Sequence, residues 1–193
     1  MHITITGRLG SGKSTVAKMI AKDHDCIYYS TGSAMRELAA ERGVDILTYN
    51  KMIEDDPTED RKIDDRTRET AITHRADNMV FDSRMAWFFA PDTFKVYVTV
   101  DPAVAAGRVH IDPRPGEPNS VVEIYEELEA RGRVEQARFI KFYGEGANYY
   151  DLNNYNLIID STNRTPEEVA AAIWAACEAY YADPVANARV ELL

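Results

Sequence analysis

The sequence predicts an α/β fold: a five-stranded, mostly parallel sheet with helices on both faces and two helical inserts. Three observations carry this expectation. Short β-rich runs alternate with helical patterns along the 193 residues, the mark of parallel strands joined by crossover helices. The first β-rich run ends in a glycine-rich segment that opens a helix. Two helical stretches between strands, Ser33–His74 and Ile111–Tyr143, exceed what a simple crossover needs.

The elements follow in order. His2–Thr6 is β-rich, Lys13–His24 carries helical periodicity, and Cys26–Tyr29 is a second short strand. Ser33–Arg42 and Ile46–Asp55 read as helix. A further helix runs from Asp56-Pro57 to about His74, with Asp56 as N-cap, Pro57 at N1 and Glu59 at N3. Asn78–Asp82 and Thr93–Val100 are strands, and Val104–Val109 is a short helix. Ile111–Asn119 contains three prolines and a glycine and reads as loop. Ser120 and Glu123 have capping-box spacing for a helix reaching about Tyr143. Tyr155–Asp160 is the fifth strand. Thr165-Pro166-Glu167-Glu168 starts the last helix, to about Tyr181, and Asp183–Leu193 has no assignment.

Composition bounds the partners. A net charge of −10 repels polyanions, which argues against a nucleic-acid partner. No long apolar run predicts a membrane span, and Met1–Thr6 has no basic leader pattern, so the expected compartment is the cytoplasm. Cys26 and Cys177 have neither disulfide-framework nor metal-ligand spacing and read as reduced thiols. Among the cations, 15 Arg stand against 7 Lys, and arginine suits forked recognition of phosphate.

Gly7-Arg8-Leu9-Gly10-Ser11-Gly12-Lys13-Ser14 matches the phosphate-loop pattern G-x-x-x-x-G-K-[ST] in full, between a strand and a helix. Glycines let backbone N–H groups wrap a phosphate, and the helix N-terminus adds partial positive charge. The loop with Thr15 is the expected nucleotide cradle. Lys13 can reach the β- and γ-phosphates, and Ser14 can ligate Mg²⁺. Asp82, at the end of Met79-Val80-Phe81-Asp82, is the expected second metal-holding group.

A second set of groups points to a phosphorylated acceptor. Ser30-Thr31-Gly32 follows the second strand, and Arg36 lies six residues after Ser30. Arg84 follows Asp82 by two. Arg131, Glu135 and Arg138 are spaced to share one helix face. On these motifs the chain resembles the cytidylate kinase family, closest to its short archaeal-type branch, from about His2 to Tyr181. Ser30-Thr31-Gly32-x-x-x-Arg36 is similar to that family's acceptor motif. Asp82-Ser83-Arg84 is similar to its Asp-Gly-Arg turn, with Ser83 in place of the glycine. Arg131-x-x-x-Glu135-x-x-Arg138 is similar to its lid helix.

The resemblance implies one P-loop kinase domain over 1–193, with an acceptor-binding insert at 33–76 and a lid insert at 110–143. It implies ATP and Mg²⁺, small nucleotides as the only partners, and a monomer or weak homo-oligomer. Ser30, Gly32, Arg36 and Arg84 would hold the acceptor, with Glu135 on its ribose. Arg131 and Arg138 would act with Lys13 on the phosphates. Arg108 and Arg114 would cover the nucleotide from the lid side. CMP or dCMP is the expected acceptor. Met85 stands where longer bacterial relatives place an acid that reads cytosine, which turns attention to Asp64, Asp65, Arg66 and Arg68 as base readers. Their bland alternative is a solvated face of pairs such as Asp64 with Arg68. Competing readings are a kinase of dephospho-coenzyme A or shikimate type, and a nucleotide-binding regulator without turnover.

Overall fold

The computed structural model describes residues 1–46, 48, 49, 52, 57–113 and 118–193. Asp56 and Arg114 lie outside them. The chain runs β1 (His2–Gly7), α1 (Lys13–Asp23), β2 (Ile27–Ser30), α2 (Thr31–Glu41), α3 (Pro57–Thr73), β3 (Met79–Asp82) and α4 (Ala86–Phe89). It continues with β4 (Phe94–Thr99), α5 (Pro102–Ile111), α6 (Val121–Tyr143), β5 (Leu157–Asp160), α7 (Pro166–Ala182) and β6 (Val190–Leu192).

The sheet has six strands rather than the expected five, in the order β2-β3-β1-β4-β5-β6. Every neighbouring pair is parallel. The sixth strand comes from the tail that had no assignment. Its three residues pair in register with Leu157, Ile158 and Ile159, which a local reading cannot anticipate.

Helices cover both faces. Val16 and Ile20 of α1 and Ile173 and Cys177 of α7 pack with Ile3, Val80 and Val96 on one face. On the other, Met79 and Phe81 meet Ala86 of α4. Central strands buried on both sides lose the polar alternation of a half-exposed strand, and all four residues of β3 are buried.

Helix ends follow side-chain chemistry unevenly. Thr165 and Glu168 form a full capping box at α7. Asp101 caps α5 by accepting from the Ala103 and Val104 amides at 2.8 and 3.1 Å. The expected Ser120–Glu123 box does not form; Ser120 caps α6 by position alone, with no side-chain bond.

Strand order positions the site. β1 leads through α1 to one side of the sheet, whereas β3 leads through α4 to the other, and the two strands are neighbours. A crevice opens at the carboxyl ends of such a pair. Gly7 and Asp82 stand at those ends.

Candidate active site

The phosphate loop is shaped by two close approaches. A Cβ on Gly7 would lie 2.4 Å from the Val98 carbonyl oxygen. Gly10 has φ +75°, and a Cβ there would lie 2.8 Å from the Ala105 Cβ. Both positions therefore demand glycine. Gly12 ends the loop in the left-handed region, and Lys13 starts α1. Ser161, beyond β5, stands against the loop: its hydroxyl lies 3.1 Å from the Ser11 carbonyl and 2.9 Å from the Thr99 carbonyl, either of which can accept its one proton. Arg108 in turn donates to the Ser161 hydroxyl at 3.1 Å and to its carbonyl at 2.6 Å.

Lys13, Ser14 and Asp82 converge. Lys13 Nζ lies 2.5 Å from Asp82 Oδ1 and 3.4 Å from Ser14 Oγ. Tyr28 donates to the other carboxylate oxygen at 2.9 Å. Burial alone would raise the Asp82 pKa, but Lys13, Ser14 and Tyr28 outweigh it and hold the group below its ordinary value. Burial and the facing carboxylate push the Tyr28 hydroxyl up to about 12, so it remains a donor. From the sequence Tyr28 is a strand residue with no site role. Period-2 alternation puts it on the same face of β2 as Ser30, beside Asp82, and that parity was the available signal.

The arginine set converges in part. Arg84 Nε donates to Glu135 Oε2 at 2.8 Å, and its Nη1 donates to the Gly7 carbonyl at 3.1 Å. Arg84 also stands over the Tyr149 ring at 5.9 Å. Glu135 is lowered from its ordinary pKa: burial opposes ionisation, but Arg84, Arg131 and Arg138 prevail. Arg131 and Arg138 lie four residues before and three after Glu135 on α6, so their charges act on the carboxylate that Arg84 holds. The link between Arg84 and Glu135 spans 51 residues and was not legible in the spacing. Arg131 Nη1 lies 3.8 Å from Glu127 on the same helix.

Other expected residues are engaged around these two groups. Arg36 is exposed and donates to Ser33 Oγ at 3.0 Å, near Gly32 and Ser30. Thr15 is exposed at the first turn of α1. Arg8 pairs with Glu129 of α6 at 3.2 Å, and Leu9 packs against the cluster of Val100, Ala105 and Leu128. Met85 is 3% exposed among Trp87, Phe89 and Phe139, so it is a core residue. On α3, Arg68 pairs with Asp65 rather than Asp64, at 2.9 Å, and lies over the Phe89 ring. Asp64 accepts from the Tyr143 hydroxyl at the end of α6. Arg66 reaches Glu37 and Glu41 of α2.

Asp82 and Glu135 tie stability to acid. Both have depressed native values, so their contribution is present above the unfolded values near 3.8 and 4.5 and is lost as pH falls through the native ones. Unfolding by urea should show stability level between about pH 5 and 7 and falling below about pH 4. Glu135→Gln should flatten that fall.

Among the described residues, no group of His, Cys, Asp and Glu could hold a metal by itself, and no helix is long and apolar enough to cross a membrane.

Known proteins share this architecture. The solved shikimate kinase from Bacteroides thetaiotaomicron aligns at TM-score 0.59 and 16% identity, covering 94% of this chain and 98% of its own, a likeness of fold alone. Cytidylate kinase from Archaeoglobus fulgidus is 35% identical over 182 residues, 92% of this chain and 95% of the relative. That from Natronomonas pharaonis is 32% identical over 185 residues, 95% of this chain and 92% of the relative. The profile of the cytidylate kinase-like family matches residues 2–163, which takes in the loop, Asp82, Arg84 and the α6 arginines. The chain therefore belongs to the cytidylate kinase-like family and is by that membership a nucleoside monophosphate kinase.

Proposed function

We propose that this chain transfers the γ-phosphate of Mg-ATP to CMP or dCMP, giving the diphosphate and ADP. The observation that carries the reading is the Arg84–Glu135 pair beside the phosphate loop, with Arg131 and Arg138 on the same face of α6 as Glu135. A single nucleotide phosphate is served by the loop itself. A second group of cations at its rim suits a second phosphorylated ligand.

The loop N–H groups and Lys13 hold the ATP phosphates. Ser14 and Asp82 offer hard oxygen donors that fit Mg²⁺, and Asp82 is held in its ionised form. Bound there, Mg²⁺ would neutralise charge on the β- and γ-oxygens. Arg36, Arg84 and Arg138 hold the acceptor phosphate, with Ser30 and Gly32 at the turn that leads into α2. An oxygen of that phosphate forms the new bond to the γ-phosphorus, and the bond to the β-γ bridging oxygen breaks toward ADP. The attacking oxygen is already ionised, so no general base is needed. Arg131 neutralises the transferring group. Residues 33–76 and 110–143 act as acceptor arm and lid, whose closure excludes water. Arg108, fixed on Ser161, flanks the nucleotide from the side of β5.

The phosphate on the acceptor is the discriminating feature. With Mg-ATP, chromatography should show CDP formed from CMP while cytidine stays unreacted. Phosphorylation of cytidine at a comparable rate would overturn the acceptor role of the arginines.

A further inference from the structure

Asp82 faces two partners of different kinds. Lys13 holds one oxygen through a flexible four-carbon stem, and Tyr28 holds the other through a ring fixed on a sheet strand. The Tyr28 backbone is in register with Val80, two residues before Asp82, and its side chain packs against the core cluster under α1. The Asp82 side chain is 4% exposed, so water is a poor substitute for either partner.

We propose that Tyr28 is a positioning residue that keeps the Asp82 carboxylate in place when Lys13 turns to the nucleotide phosphates. This rests on the proposed role of Asp82 toward Mg²⁺. Lys13 has three N–H donors on a flexible stem, and a β- or γ-phosphate would compete with the carboxylate for them and draw Nζ from its present 2.5 Å contact. Once it turns away, Tyr28 and Ser14 are the neutral groups left to orient the acid. Tyr28 is fixed on β2 and does not swing with the Lys13 stem, so its bond to Asp82 does not depend on where Lys13 points. The same hydroxyl ties β2, whose end opens into the acceptor motif at Ser30, to the end of β3. Nucleotide and acceptor sides of the crevice thus share one anchored carboxylate.

The test is ATP binding by calorimetry without acceptor, with and without Mg²⁺, for wild type, Tyr28→Phe and Asp82→Asn. Tyr28→Phe keeps the ring and its packing, so Tm and metal-free ATP affinity should stay within about twofold and a few degrees of wild type. The tightening of ATP binding by Mg²⁺ should shrink roughly tenfold, the size expected for a lost hydrogen bond to a charged group. Asp82→Asn should shrink it at least as much. If Asp82→Asn abolishes the Mg²⁺ effect and Tyr28→Phe leaves it whole, Tyr28 merely packs and the inference is wrong. If neither variant alters the effect, the inference also fails, and the failure lies in the metal role given to Asp82.

Discussion

Arg131→Ala is expected to lower kcat by about 10³–10⁵-fold, the range that a transition-state arginine supplies in phosphoryl transfer. Arg131 lies on α6, half-buried, with Glu127 on one side and its charge felt at Glu135 on the other. Its contact with Glu127 is a partly exposed i,i+4 pair, worth only a few tenths of a kcal/mol. Arg131 also helps hold Glu135 ionised, so its removal should lower Tm by no more than a few degrees while kcat falls by orders of magnitude. ATP and acceptor KM should change only a few-fold, because the charge it meets develops in the transition state. Arg131→Lys should recover only a small part of the loss, since an ammonium lacks the planar fork. Turnover of Arg131→Ala near the wild-type rate in a coupled ADP assay would remove Arg131 from the chemistry.

Lys13→Met acts on both function and stability. Loss of a preorganised cation at the phosphates should lower kcat by about 10²–10³-fold. The stability effect arises from Asp82. Its carboxylate is buried, and Lys13 is its closest cation. Severing a buried pair leaves a charge without compensation and costs of the order of 3 kcal/mol, here at the lower end because Tyr28 and Ser14 remain. Urea unfolding of Lys13→Met should show that loss, and adding Asp82→Asn should restore most of it. Full stability in Lys13→Met alone would mean that the pair contributes nothing to the fold. Restored stability without restored activity would separate the two roles of Lys13.

The phosphate loop was legible because its chemistry is local. Eight consecutive residues fix both its backbone shape and its charge, and the strand and helix around it declare themselves by periodicity. Asp82 was legible for a similar reason, as an acid closing an apolar run. What escaped is what depends on distant parts of the chain. β6 is a three-residue edge strand whose pairing with β5 needs the whole of α7 to bring it back. Glu135 reads as sharing a helix face with Arg131 and Arg138, with the ribose as its implied partner, yet the group that holds it here, Arg84, comes from the turn after β3. Tyr28 read as a strand residue, and only the register of β2 against β3 brings its hydroxyl to Asp82. Ser120 and Glu123 had the spacing of a capping box without forming one, whereas Thr165 and Glu168 formed it. Spacing offers such a bond, and the angle at which the chain enters the helix decides whether it is made.

The central claim is the choice of acceptor, and ADP release from Mg-ATP measures it across CMP, dCMP, UMP, AMP, GMP, dephospho-coenzyme A and shikimate. The account predicts turnover of at least about one per second on CMP or dCMP, the lower bound typical of kinases, and well above every other acceptor. Preferred turnover on shikimate or dephospho-coenzyme A, or ATP binding with no turnover on any of the seven, would contradict it.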